Sequence, residues 1–351
     1  MSLEPFRCDP TLVPPRWWIL YKVLHGAWPT HLTVAPTDLT GRWILITGGN
    51  NGIGREAALQ FARWGANIII AAREPPGHEI HPTVTVDDCL SAARAAGHTP
   101  TVEWWAVDLA QLPTVAALAA RYLATNWPLD ILVNNAGIPN SPLDRVTEDG
   151  YQLIHQVNFL AHALLTLSLL PALARAASPR VVCVTSNMHY RGVFNLAYAN
   201  SARGAYPNNK LYYQAWLTEF QHRCVDSDRY RHIRICGVHP GFVNSGIWTT
   251  TPLGSLPDYR AGEPLWMVWV AKKALDYFSV DSQQGSIAIT SAATGTMIKD
   301  LGSGGRYFNR VWVETPMPQT VNETCRREVW EFVGGELTAL RWEELVVGLQ
   351  D

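Results

Sequence analysis

Short runs that are apolar at nearly every position recur along the chain at residues 42–47, 67–72, 102–107, 131–133, 181–184 and 233–238, separated by stretches of helical length. A strand with one wet face alternates apolar and polar residues. Continuous runs instead predict strands covered on both faces, as in a parallel sheet flanked by helices. Residues 56–64, after the first run, are rich in helix formers, so the chain opens on strand, turn and helix. The pattern predicts an α/β fold with a doubly wound parallel sheet. No Gly/Ser-rich linker, charge block or internal repeat divides it. A single domain over residues 38–312 is therefore expected, with an N-terminal extension, 1–37, and a C-terminal extension, 313–351.

Two apolar runs do not fit the strand pattern. Residues 16–28 are apolar and aromatic but interrupted by Lys22 and His25, and they fall short of the roughly 20 residues a membrane span needs. They read as a helix packing on the main domain, with an interfacial helix making peripheral membrane contact as the competing reading. Residues 159–174 end around Pro171 and read as a buried helix.

Composition narrows the function classes. With 47% hydrophobic residues among 351, a large core is available, and a net charge of -2 offers no basic excess to track a phosphate backbone. Nucleic acid is excluded as the expected partner, and a small molecule takes its place. The six cysteines, Cys8, Cys89, Cys183, Cys224, Cys236 and Cys325, form no CxxC or Cys/His cluster. No metal site and no secreted disulfide framework are expected, and the first fifteen residues lack a secretory signal. A reduced, cytoplasmic compartment follows, membrane-peripheral if residues 16–28 lie on a lipid surface.

Candidate chemistry lies where the apolar runs end. Thr47-Gly-Gly-Asn-Asn-Gly-Ile-Gly54 places glycines between the first strand and the first helix. There a tight turn, and backbone approach to a pyrophosphate at a helix N-terminus, both require the absence of a Cβ. After the second strand, Ala72-Arg73 stands where a carboxylate would accept the ribose hydroxyls of NAD. A cation without a repelling acid favours the 2′-phosphate of NADP(H), leaving NAD(H) second, with Asn51 as a further neutral contact. Asp108 could accept from the adenine amino group, and Asn134-Asn-Ala-Gly137 supplies small residues for close passage. Of the twelve tyrosines only Tyr206 has a lysine four residues on, Lys210. On a helix these share a face, so the ammonium is expected to lower the phenol's pKa toward acid/base work. Ser186, ending the fifth run, is placed to hydrogen-bond a substrate oxygen.

With these motifs the chain resembles the short-chain dehydrogenase/reductase family and, within it, the retinol-dehydrogenase-like group. The matches are Thr47-Gly48-x-x-x-Gly52-Ile53-Gly54, Asp108-Leu109, Asn134-Asn-Ala-Gly137, Asn158, Ser186, Tyr206-x-x-x-Lys210 and His239-Pro240-Gly241, in the family's order. The group is carried by Thr147-Glu-Asp-Gly-Tyr151, Val157-Asn-Phe-Leu-Ala-His162, Gly285 and Gly305-Arg-Tyr-Phe308. The resemblance implies a Rossmann-type fold and hydride transfer between nicotinamide and a carbonyl or alcohol. Tyr206 would be the general acid or base. Lys210 would hold the nicotinamide ribose, Ser186 would position the carbonyl, and Asn158 would anchor a water leading to Lys210. Gly48, Gly52, Ile53, Gly54, Arg73, Asp108, Leu109, Asn135, Ala136, Gly137, Pro240, Gly241 and Val243 would line the dinucleotide.

Departures from the family mark the open points. The family's Thr after Pro-Gly is absent, leaving Asn244 or Ser245 to replace it, and the extension before Asp38 has no counterpart in the family core. Phe242, Trp248, Tyr259, Trp266 and Trp269 concentrate in a substrate lid near 242–278 and suit a hydrophobic ketone, aldehyde or alcohol, although they could equally pack the lid on the core. The resemblance also implies a homodimer through helices at 158–170 and 206–223, with Leu164, Leu167 and Leu217 as candidate contacts, although the same residues could serve the monomer core. The rival class is a non-redox cyclase or isomerase of the same fold, or an NADP-binding regulator, but such proteins commonly lose the Tyr or Lys that this chain retains.

Overall fold

The six apolar runs become the strands β1 (Trp43–Thr47), β2 (Asn67–Ala72), β3 (Val102–Ala106), β4 (Ile131–Asn134), β5 (Arg180–Val184) and β6 (Arg234–His239), all parallel. Two further strands extend the sheet: β7 (Arg306–Asn309), parallel to β6, and β8 (Trp312–Glu314), antiparallel to β7. The order is β3-β2-β1-β4-β5-β6-β7-β8. The computed structural model describes residues 12–25, 30–77, 80–139, 145–200, 205–243, 279–295 and 305–349. Asn244, Ser245, Trp248, Tyr259, Trp266 and Trp269 lie outside them.

Alternate strand residues face two helical layers. Leu45, Ile69, Leu132 and Val181 pack with α4 (Leu112–Ala124), α6 (Ala161–Ser168) and α8 (Ala205–Asp226). Ile44, Ile46, Ile68, Ile70 and Val133 face the opposite layer, α2 (Gly52–Arg63), α3 (Pro82–Ala95) and α9 (Ser282–Thr294). Fully burying each such side chain stabilises by roughly 1.5–3 kcal/mol, which is why these runs tolerate no polar alternation. Before α6 the chain passes through a short α5 (Leu153–His155) and a π-helical segment, Gln156–Leu160, and after it comes α7 (Leu170–Leu173).

The extensions are bound to this frame. In α1 (Arg16–His25), Trp18, Ile19 and Val23 pack against Tyr190, Leu211, Tyr307 and Met317, and Lys22 Nζ lies 2.8 Å from Glu314. Its other face leaves Trp17, Leu20, Tyr21 and Leu24 more than half exposed. No helix among the described residues is long and apolar enough to cross a membrane. At the other end, α10 (Glu323–Glu336) lies across α8 and α5, followed by α11 (Trp342–Leu345). Trp330 of α10 stacks on Trp216 and Phe220, and Glu336 takes His155 Nε2 at 2.8 Å.

Of the two roles open to Leu164, Leu167 and Leu217, the structure shows the core one: all three are buried in the chain's own core, with α10 packed along α8. Cys89, Cys183, Cys224 and Cys236 are free and buried.

Candidate active site

The strand order reverses between β1 and β4, and at such a switch point the loops leaving the carboxyl ends splay apart to form a crevice. The glycine turn, Arg73, Asp108, Asn135–Gly137, Ser186 and Pro240–Gly241 all follow carboxyl ends of strands β1 to β6.

In the glycine turn, Gly48 and Gly52 adopt left-handed backbone, φ +63° and +53°, which a side chain would strain. Gly54 is required for a different reason: a Cβ there would lie 2.4 Å from Asn135 Nδ2 and 2.5 Å from the Gly48 carbonyl. That close approach lets α2 begin against the β1–β4 crevice with its N-terminal N–H groups facing it, a fit for a pyrophosphate. Asn51 Oδ1 accepts from Gly52 N at 2.7 Å, so this side chain caps α2. Ile53 and Val243 converge over Gly285, where a Cβ would meet each of them within 2.8 Å. Two expected cofactor-lining residues, far apart in sequence, are thereby brought together.

The walls of the crevice are fixed by polar side chains. Asn135 Nδ2 donates to the carbonyls of Thr47 at 2.9 Å and Gly48 at 3.3 Å. The Thr47 hydroxyl accepts from the amides of Asn135 and Ala136, at 2.9 and 3.0 Å, and faces His162 Nε2 at 3.0 Å. Sequence reasoning gave neither Thr47 nor His162 a role; their only signal was membership of the quoted motifs. Burial, together with the nearby Lys210 charge, pushes His162 down to about 3, so it is neutral. Asp108 Oδ1 accepts from Ala110 N at 2.9 Å, and the Leu109 carbonyl accepts from Gln156 Nε2 at 3.2 Å. Arg73 is exposed just beyond β2, and the neighbouring Glu74 carboxylate is held 3.1 Å from His81 Nε2.

Ser186, Tyr206 and Lys210 meet at the end of β5. Burial pushes the Tyr206 phenol up to about 12, and a hydrogen bond with the Ser186 side chain works in the opposite direction. Lys210 is buried, with Nζ donating to the Val184 carbonyl at 2.8 Å and lying 5.6 Å from the Tyr206 ring centroid. Burial pulls Lys210 down to about 8, with Cys183 opposing. The expectation that Lys210 lowers the Tyr206 pKa is thus corrected: desolvation raises it, and the opposing effect comes from Ser186. Asn158 sits in the π-helical segment, where its side chain accepts from Ile138 N and donates to Ile138 O, both at 2.7 Å. It thereby clamps the loop after β4.

A phenol beside a hydroxyl and a buried ammonium, facing a crevice with an anion-binding helix start, is an arrangement for moving a proton to or from an oxygen next to a bound dinucleotide. Residues 42–253 match the family model described as short chain dehydrogenase. The chain is 32% identical to polyprenol dehydrogenase of Mus musculus over 301 residues, 83% of this chain and 82% of that protein. It is 30% identical to retinol dehydrogenase 14 of Homo sapiens, over 85% of this chain and 86% of that one. Among solved structures, an uncharacterized protein from Mycobacterium Paratuberculosis matches with a TM-score of 0.56 at 26% identity, over 91% of this chain and 98% of that chain.

Proposed function

This chain belongs to the short chain dehydrogenase family, and from that membership we propose that it is an NADP(H)-dependent oxidoreductase acting on a hydrophobic ketone, aldehyde or alcohol. When bound, the dinucleotide supplies or takes up the hydride. Tyr206 gives its phenolic proton to the carbonyl oxygen in reduction and removes it from the alcohol in oxidation, while the Ser186 hydroxyl holds the same oxygen. Lys210 holds the nicotinamide ribose. The glycine turn from Gly48 to Gly54 takes the pyrophosphate, Asp108 and Leu109 lie at the adenine, and Asn135 to Gly137 with Pro240, Gly241 and Val243 line the nicotinamide half.

The observation that carries this reading is the hydrogen bond between Tyr206 and Ser186 beside the buried Lys210. NADP(H) is favoured by Arg73, a planar donor fork suited to a phosphate, at the end of β2 where a carboxylate would serve NAD. The hydrophobic substrate is supported by the relatives, whose names refer to retinol and polyprenol, both apolar alcohols. Peripheral membrane contact is supported by the outer face of α1, where exposed Trp17, Leu20, Tyr21 and Leu24 form an apolar stripe with no acid in the helix. Flotation with phospholipid vesicles, compared between wild type and Trp17→Ser/Leu20→Ser/Leu24→Ser, tests that contact and should lose the bound fraction in the variant.

The main test is loss of NADPH absorbance with a panel of apolar aldehydes and ketones, retinal among them. Turnover with apolar members and little with small polar ones is expected. No turnover with any member, with NADPH or NADH, would contradict the reading.

A further inference from the structure

Ser186 opens a single 3-10 turn, Asn187–Arg191, whose side chains bond outward to the two extensions. Asn187 Nδ2 donates to the Val23 carbonyl in α1 at 3.1 Å, and the Tyr190 hydroxyl donates to the Thr315 carbonyl at 2.7 Å. His189 lies between them; its amide donates to the Ser186 carbonyl at 3.1 Å, and its ring makes two further bonds. Its Nδ1 is 2.6 Å from the Ser186 carbonyl, and its Nε2 is 3.2 Å from the Met317 amide.

The partners fix the tautomer. A backbone amide only donates and a carbonyl only accepts, so Nε2 is the bare nitrogen and Nδ1 carries the hydrogen. The ring is fully buried, tilted against Tyr190 at 4.0 Å and edge-on to Tyr307 at 4.6 Å, so it has one orientation available. Ser186 itself accepts from Met188 N at 3.2 Å, leaving the hydroxyl hydrogen free to point elsewhere. A turn this short has few internal bonds, so where the serine hydroxyl stands depends on what grips the turn.

We propose that His189 is a positioning residue for Ser186: its Nδ1–H holds the serine's carbonyl from a buried ring, setting the hydroxyl opposite Tyr206. The inference rests on Ser186 and Tyr206 being the reacting pair.

Two substitutions in the full chain separate the two bonds. His189→Asn sets an amide where Nδ1 stood and keeps the donor to Ser186; His189→Gln reaches toward Met317 and loses that donor. With NADPH and the best carbonyl substrate, kcat should stay within about threefold in His189→Asn and fall about ten- to a hundredfold in His189→Gln, since a displacement near 1 Å costs about that much. NADPH affinity should be unchanged in both, and both should melt at similarly lowered temperatures, each having lost one buried hydrogen bond. Hydrogen exchange over residues 187–191 should rise in His189→Gln alone. If kcat instead follows melting temperature equally in the two variants, or neither loses activity, the positioning role is overturned. Should His189→Gln fail to fold, His189→Asn decides alone: retained kcat with a lowered melting temperature supports the proposal, and kcat falling in step overturns it. Wild type inactive on every carbonyl, but with exchange differing between the variants as stated, would uphold the positioning and refute the reaction.

Discussion

The Tyr206 phenol is hydrogen-bonded to Ser186, and that bond opposes the burial that pushes the phenol up to about 12. At neutral pH the proton is therefore on the phenol, the state reduction needs, whereas oxidation of an alcohol needs it removed. Oxidation should accelerate as pH rises from 7 to 9, by up to about tenfold per unit, while reduction stays nearly flat. Pre-steady-state rates in both directions across that range check this. Oxidation that slows with rising pH would mean that another group accepts the proton.

Acid lability follows from three buried imidazoles. Burial pushes His162, His189 and His239 down to about 3, 4 and 3. Their folded values lie below the unfolded value near 6.5, so the unfolded chain binds more protons once pH drops below that value. Stability is fully present above pH 6.5 and is lost as pH falls, by about 1.4 kcal/mol per unit for each, or roughly 4 kcal/mol per unit together. Urea midpoints measured from pH 7.5 to 5 should fall steeply. A midpoint that holds to pH 5 would place these rings in a more solvated setting.

α10 packs on α8 at Trp216 and Phe220, and Glu336 fastens it through His155. The homodimer that the family resemblance implies would therefore form beside α10 and not through Leu164, Leu167 or Leu217, which are buried in the chain's own core. Light scattering at micromolar concentration should give twice the single-chain mass of 39.0 kDa. The single-chain mass would contradict the dimer.

Cofactor choice should turn on Arg73. Charge-assisted hydrogen bonds contribute about 1.5–3 kcal/mol, so Arg73 should favour NADPH over NADH by roughly ten- to a hundredfold. Titration of both dinucleotides into wild type and Arg73→Ala should show NADPH affinity lost and NADH affinity kept. Equal weakening of both, or a wild type that prefers NADH, would assign the phosphate to other groups.

Strands β1 to β6 were legible because burial on both faces leaves an unbroken apolar signature, and the glycine turn because close backbone approach forbids side chains. β7 and β8 were not. They are short, and Arg306 and Trp312 face solvent, so their pattern differs little from a loop. The pairing of Tyr206 with Lys210 was visible as an i,i+4 spacing, but spacing carries no measure of desolvation, and desolvation sets the phenol's state. The grip on residues 187–191 uses main-chain atoms of Val23, Thr315 and Met317, which no side-chain pattern reveals. The cover provided by α10 was equally hidden, because periodicity gives a helix its apolar face but not the partner for it.

The most direct test of the central claim is turnover and NADPH affinity of Tyr206→Phe. The substitution removes only the phenolic oxygen at a half-buried position, and positioned proton transfer contributes about a hundred- to ten-thousandfold. The account predicts kcat lower by at least that lesser factor, with the NADPH dissociation constant within about twofold of wild type, because the phenol acts on the substrate oxygen and not on the dinucleotide. Near-wild-type reduction by Tyr206→Phe would contradict it.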